Sequence, residues 1–88
     1  MEYVSIEETY SEVDALNAVP ENIAIRNAMV PVACENDRLM VLINSPQARE
    51  RLKDLGVLLG KEIHAMLTSC EDIEAEIVAR YQALKDGK

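Results

Sequence analysis

Two short apolar runs around four polar residues constrain the fold of this chain more than any other feature. Residues 29–34 read MVPVAC, residues 39–43 read LMVLI, and residues 35–38 (ENDR) lie between them. Apolar runs of this length around a polar turn are typical of a β-hairpin. Pro31 has no N–H to donate to a sheet, so we expect the first strand to lie at an edge or to have this position facing outward. The second run is apolar on both faces, which predicts a central strand covered by helices.

Proline and glycine positions indicate where helices begin and end. Pro20 is typical of a helix start, and Ser45 followed by Pro46 provides a cap with proline in the first turn. We expect the second of these helices to run for about ten residues and to end at Gly56. Residues 62–67 (EIHAML) alternate weakly in polarity and are predicted to form a third strand.

The C-terminal part carries the clearest helical pattern. Residues 68–71 (TSCE) fit a capping box, in which Thr68 caps the helix and Glu71 bonds back to it. Glu76 and Arg80 can pair one turn apart. The apolar stripe at helical spacing consists of Ile73, Ile77, Tyr81 and Leu84.

The two ends of the chain are less regular. Ile6, Tyr10 and Val13 could line one helix, whereas residues 14–16 (DAL) look like a new helix start, so this segment has a mixed pattern. Residues 86–88 (DGK) are expected to form a frayed tail.

Together these elements predict one small α+β domain over residues 1–88, with residues 1–18 the least defined. The expected order is α-β-β-α-β-α. The hairpin and one further strand form a three-stranded sheet, packed with three to four helices, and the helix that begins at Pro46 makes a right-handed crossover to the third strand. The chain has no Trp or Phe and only three Tyr, so the core is expected to be aliphatic.

Charge and hydropathy limit the partners that the chain can bind. The formal net charge of −7 would repel nucleic acid and acidic membrane surfaces, and it favours basic protein partners. The longest apolar run has five residues, far fewer than the roughly 20 that cross a bilayer, so no direct membrane insertion is expected. Glu2, Glu7 and Glu8 stand where a signal peptide would be basic. The chain is therefore predicted to be soluble and cytoplasmic.

The motifs that could carry chemistry do not support an enzyme. In residues 56–62 (GVLLGKE), the glycine spacing and the acidic last residue do not fit a phosphate loop, so a capping glycine and a turn are expected there. Cys34, Cys70 and His64 show neither the close ligand pairs of a zinc site nor a nucleophile motif, and the cysteines are expected to be reduced. We expect no catalytic, cofactor-binding or metal-binding residues.

The acidic start of the last helix is the candidate interaction surface. Four carboxylates fall within about one and a half turns, and they could steer a basic partner towards the domain. They are Glu71, Asp72, Glu74 and Glu76. The alternative is a solvated helix face whose carboxylates match the helix dipole.

From Val19 to Tyr81 the chain resembles the N-terminal domain of the bacterial type II secretion and type IV pilus assembly ATPases. The features that carry the resemblance are Val19-Pro20-Glu21 at a helix start, Ala24 with Arg26, Val30-Pro31-Val32, the apolar residues 39–43, Gly60-Lys61-Glu62-Ile63, and residues 73–81 closing on Tyr81. Ser45-Pro46 stands where the family commonly has Asp-Pro, which exchanges one helix cap for another.

The resemblance implies a noncatalytic adaptor in protein transport. Such a domain docks its ATPase onto the cytoplasmic part of an inner-membrane assembly protein, so the chain would be peripheral at that membrane through its partner. In the family the ATPase domain with its Walker motifs lies downstream, and it would be a second partner within a longer chain. The alternative is a regulatory domain that senses cyclic di-GMP, but the upstream Arg-Leu-Gly repeat that binds this nucleotide in a subset of the family is not in the sequence.

Overall fold

The computed structural model of the chain describes residues 3–86, in which a three-stranded mixed sheet packs with four helices. The elements in chain order are α1 (Val13–Ala18), α2 (Glu21–Asn27), β1 (Met29–Glu35), β2 (Arg38–Ile43), α3 (Ala48–Leu59), β3 (Glu62–Leu67) and α4 (Ile73–Asp86). The predicted α+β class and the three-stranded sheet are confirmed. The order is α-α-β-β-α-β-α, because two short helices precede the hairpin.

The sheet has the strand order β1-β2-β3, with β1 antiparallel to β2 and β2 parallel to β3. The predicted edge position of β1 and central position of β2 are therefore confirmed. The β1–β2 register shifts between Pro31 and Ala33, so the irregularity lies beside the residue that has no N–H to donate. Asn36 in the hairpin turn has a φ of 56°, a left-handed conformation that asparagine tolerates well.

The predicted end of α3 at Gly56 is wrong. The helix continues through Gly56 to Leu59, and Gly60, with a φ of +67°, terminates it. The Lys61 N–H donates to the Gly56 carbonyl at 2.9 Å and the Gly60 N–H donates to Val57 at 3.2 Å, which is a Schellman pattern. A Cβ atom on Gly56 would lie 2.8 Å from the Lys61 carbonyl oxygen. One glycine therefore permits close packing, and the other caps the helix.

The predicted capping box at Thr68 is also wrong. The Thr68 N–H donates to the Ile43 carbonyl at 2.8 Å, so it is not available to Glu71, and the Thr68 hydroxyl makes no hydrogen bond within residues 3–86. Instead α4 begins at Ile73, and the Asp72 carboxylate accepts a hydrogen bond from the Ala75 N–H at 3.1 Å.

The N-terminal segment is irregular up to α1, as the new helix start at residues 14–16 indicated. Tyr3 forms a parallel bridge with Leu67, and the Glu12 N–H donates to the Val32 carbonyl at 2.7 Å. Ile6 is buried, whereas Tyr10 is exposed, so these two residues do not line one helix face. The segment thus touches both edge strands of the sheet.

The core is aliphatic, as composition predicted, and Tyr81 is its one aromatic residue among those described. The Tyr81 hydroxyl donates to the Val19 carbonyl at 2.6 Å, which joins α4 to the chain between α1 and α2. Helix α4 continues to Asp86, and the other residues of the predicted tail, Gly87 and Lys88, lie outside the described residues. None of the helices within residues 3–86 combines the length and hydropathy needed to cross a bilayer.

Because the Tyr81 hydroxyl is buried and bonded to the Val19 carbonyl, we expect the domain to lose stability at alkaline pH. Burial raises the pKa of Tyr81 from 10.0 to about 12, and the charge of Glu21 contributes to the rise. The folded state therefore holds the phenolic proton more tightly than the unfolded chain. The protonated Tyr81 side chain therefore contributes to the free energy of unfolding. This stabilisation is complete below pH 10 and is lost as the pH rises through about 12. Urea denaturation should show a falling free energy of unfolding across this range.

Tyr81→Phe is the control for this prediction. It should lower the free energy of unfolding at neutral pH by about 1 kcal/mol, because the Val19 carbonyl loses its donor. It should also have a shallower decline in stability above pH 10. An unchanged alkaline decline in this variant would contradict the assignment to Tyr81.

Thr68→Val is expected to stabilise the domain. The Thr68 side chain is 3% exposed, and within residues 3–86 its hydroxyl oxygen has no hydrogen-bond partner. Replacing an unpaired buried hydroxyl with a methyl group should raise the free energy of unfolding by about 1 kcal/mol, measured by urea denaturation. Thr9→Val is the matched control, because the Thr9 hydroxyl donates to the Ser5 carbonyl at 2.7 Å and its removal should give no gain. A destabilised Thr68→Val variant would show that this hydroxyl has a partner.

Candidate interaction surface

The four predicted acidic residues lie together at the start of α4, but the structure gives them different roles. Asp72 caps the helix, and Glu76 accepts a hydrogen bond at 2.9 Å from the guanidinium of Arg80. Glu71 and Glu74 are exposed, and neither takes part in a side-chain hydrogen bond or ion pair within residues 3–86. Two carboxylates therefore serve the fold, and two remain accessible to a partner.

Arg80 confirms the predicted pairing with Glu76 and also makes contacts that the sequence did not indicate. Its Nη1 atom donates to the Ser11 hydroxyl at 2.9 Å, and its Nη2 atom donates to the Ile6 carbonyl at 2.8 Å. The Ser11 hydroxyl in turn donates to the Pro31 carbonyl at 2.6 Å. The Arg80 side chain is only 13% exposed. This network attaches the N-terminal segment to both α4 and β1.

A groove lies beside this network, between the N-terminal segment and α4, with a volume of about 310 Å³. We call it the Tyr10 groove. Buried Ile6 and Leu16 lie beneath it, and exposed Tyr10 lines it on the N-terminal segment. Its carboxylates are Glu7 and Glu76. The sequence did not indicate this groove, because the mixed pattern of residues 1–18 left open whether Ile6 and Tyr10 lie on one helix face.

Helix α3 ends in a second exposed apolar patch with a different charge. Val57 and Leu58 are 84% and 76% exposed. An open groove of about 550 Å³ beside Val57 has Lys53 and Lys61 among its lining residues, with Glu62 as the carboxylate. Two surfaces with exposed apolar side chains therefore differ in charge, because lysines predominate at this one and carboxylates at the Tyr10 groove.

The residues that could carry metal or nucleophile chemistry are distributed over separate elements. Cys34 lies on β1 and His64 on β3, and the central strand β2 separates these two edge strands. Cys70 precedes α4, and both cysteines are free. Within residues 3–86, no group of three or more His, Cys, Asp and Glu side chains could hold a metal ion.

Comparison with known proteins identifies one family whose model matches this chain. The model of the MshEN domain matches residues 1–87, nearly the whole chain. No curated protein matches the sequence. The family match covers the N-terminal segment, α4 and the groove between them.

Arg80→Ala is expected to lower the free energy of unfolding by about 2–3 kcal/mol, measured by urea denaturation. The reason is that the substitution removes three hydrogen bonds donated by a largely buried charged group. Arg80→Lys should recover little of this loss, because an ammonium group cannot reproduce the planar arrangement of donors.

Lys85→Ala on the same helix is the control for Arg80. Lys85 contacts Glu21 at 3.2 Å, but its side chain is 64% exposed, so the loss should stay below about 1 kcal/mol. Equal losses for Arg80→Ala and Lys85→Ala would contradict the role given to the Arg80 network.

Proposed function

The chain belongs to the MshEN domain family, the N-terminal domain of type II secretion and pilus assembly ATPases, and from this membership we propose a noncatalytic adaptor function. The domain docks such an ATPase onto the cytoplasmic part of an inner-membrane assembly protein. In a longer chain it also contacts the ATPase domain that follows it. It is then peripheral at the inner membrane through its partner, and it binds no nucleic acid.

The observation that carries this proposal is the family match over residues 1–87. The family is an N-terminal domain, distinct from the catalytic ATPase domain. The two glycines of residues 56–62 add support, because a Cβ atom on Gly56 would lie 2.8 Å from the Lys61 carbonyl oxygen and Gly60 caps α3. Both have a structural reason that is independent of nucleotide binding.

The charge distribution supports a basic partner. The domain carries a formal net charge of −7, and the accessible carboxylates at the start of α4 are Glu71 and Glu74. Long-range attraction raises the rate of association more than it lowers the rate of dissociation. The start of α4 therefore steers the partner during encounter, while Asp72 and Glu76 maintain the fold.

The double substitution Glu71→Lys and Glu74→Lys should slow association with the purified cytoplasmic domain of the inner-membrane assembly protein. The effect should be largest at ~0.05 M salt and small at ~0.5 M, because the Debye length falls from roughly 14 to roughly 4 Å. The association rate is measured by biolayer interferometry. The dissociation rate should change little, because charges that steer a partner at long range act mainly on the association rate.

The control is Glu50→Lys with Asp54→Lys on α3, which changes the net charge equally at another exposed site. This variant should associate faster than the α4 variant at low salt. Equal slowing in both variants would indicate a net-charge effect and contradict steering by α4. Two results with the isolated domain would contradict the adaptor proposal itself: hydrolysis of ATP, or micromolar binding of cyclic di-GMP measured by calorimetry.

A further inference from the structure

We propose that the Tyr10 groove is the surface on which this domain holds a partner segment that carries arginine or lysine beside apolar side chains. The choice of an assembly protein as the partner rests on the adaptor function proposed above. The acidic start of α4 acts during encounter, and the groove maintains contact after encounter. The two surfaces therefore control different rate constants.

The apolar surface of the groove is formed by buried residues at its floor and by an exposed tyrosine at its side. Ile6 and Leu16 are buried beneath it, and the Tyr10 ring is 84% exposed at its side. Among the described residues, the Tyr10 hydroxyl makes no hydrogen bond. Tyrosine gains much from burial at an interface, because it combines a large apolar ring with a polar hydroxyl and loses little conformational entropy. An exposed tyrosine over an apolar floor is thus suited to anchor a partner.

The charges at the groove favour a cationic partner. Glu7 and Glu76 line it, and the neighbouring Glu8 and Glu12 are also exposed. The cation at the groove is Arg80, which is largely buried and hydrogen-bonded to Glu76 and the N-terminal segment. An incoming arginine or lysine would therefore meet exposed Glu7, with Glu8 and Glu12 close by in the chain, and a tyrosine face that attracts cations.

The hydrogen bonds of Arg80 hold the groove in a preformed shape in the free domain. The guanidinium attaches the Ile6 carbonyl and the Ser11 hydroxyl to α4, and these two residues lie on either side of Tyr10 in the chain. Holding both flanks lowers the entropy that is lost when a partner orders the segment. The groove volume of about 310 Å³ suits a few side chains of a partner.

Tyr10→Ala should raise the dissociation rate of the purified cytoplasmic domain of the assembly protein about tenfold or more, measured by biolayer interferometry. Its association rate should change little. Circular dichroism should show a folded domain, because the Tyr10 side chain is exposed. Ala83→Gln, which narrows the groove from the α4 side without adding charge, should raise the dissociation rate as well.

Val57→Ala is the matched control, because Val57 is also 84% exposed but has Lys53 and Lys61 beside it. It should keep the wild-type dissociation rate. If Tyr10→Ala dissociates at the wild-type rate, the groove is not the contact surface, although the adaptor function would stand. Faster dissociation for Val57→Ala alone would place the contact at the end of α3 and also overturn this proposal.

A synthetic peptide tests the groove without the assembly protein. An amphipathic helix of leucine and arginine, about 20 residues long, should shift the backbone amide resonances around Tyr10 and Ala83 in the ¹⁵N-labelled domain. A version of the peptide with aspartate in place of arginine should leave these resonances unchanged. If the arginine peptide shifts these resonances while the assembly protein fails to bind, the adaptor function is wrong and the groove proposal stands. Shifts centred away from the groove, or equal shifts with both peptides, would overturn it.

Discussion

The hydrogen bonds of the Arg80 guanidinium are the interactions on which the position of the N-terminal segment depends. Ser11 and Ile6 belong to a segment with no regular structure of its own, so their position comes from bonds to α4 and β1. Glu76 pairs with the same guanidinium and keeps it oriented. Because the charge is mostly buried and has several acceptors, the arrangement is both costly to break and specific in geometry.

The same network separates structural carboxylates from accessible ones. Four acidic residues in one and a half turns look equivalent in the sequence, yet Asp72 and Glu76 have partners within the fold, and Glu71 and Glu74 face solvent. In this domain of net charge −7, the accessible carboxylates therefore lie at the start of α4, the helix that also lines the Tyr10 groove. Electrostatic steering and apolar contact act at different stages of binding, so one small domain can use both.

The sequence predicted the sheet well because its signals are periodic and local. Pro31 indicated an edge strand, and the apolar residues 39–43 indicated the central one, as the order β1-β2-β3 confirms. Helix boundaries were harder to predict. Gly56 and Gly60 are both good terminators, but the positive φ and the two capping hydrogen bonds that end α3 occur at Gly60, and the Lys61 N–H bonds back to the Gly56 carbonyl. Thr68 fits a capping box, but its N–H pairs with Ile43 instead. At the end of α3 the deciding contact is made by residues after the turn, and at Thr68 it is made by a strand distant along the chain. In both cases the local sequence offers two helix boundaries of similar energy, and this contact selects one of them.

The sequence by itself determined the α+β class, the aliphatic core, the negative charge, the Glu76–Arg80 pair and the resemblance to the secretion and pilus ATPases. These follow from composition, from helical and strand periodicity, and from the order of short motifs. Only the tertiary structure decided that Ile6 is buried while Tyr10 is exposed, that Arg80 joins the N-terminal segment to α4, and that a groove lies between them. An irregular segment has no periodicity from which its direction can be read. Its path depends on side chains about seventy residues away, and those contacts exist only once the chain has folded.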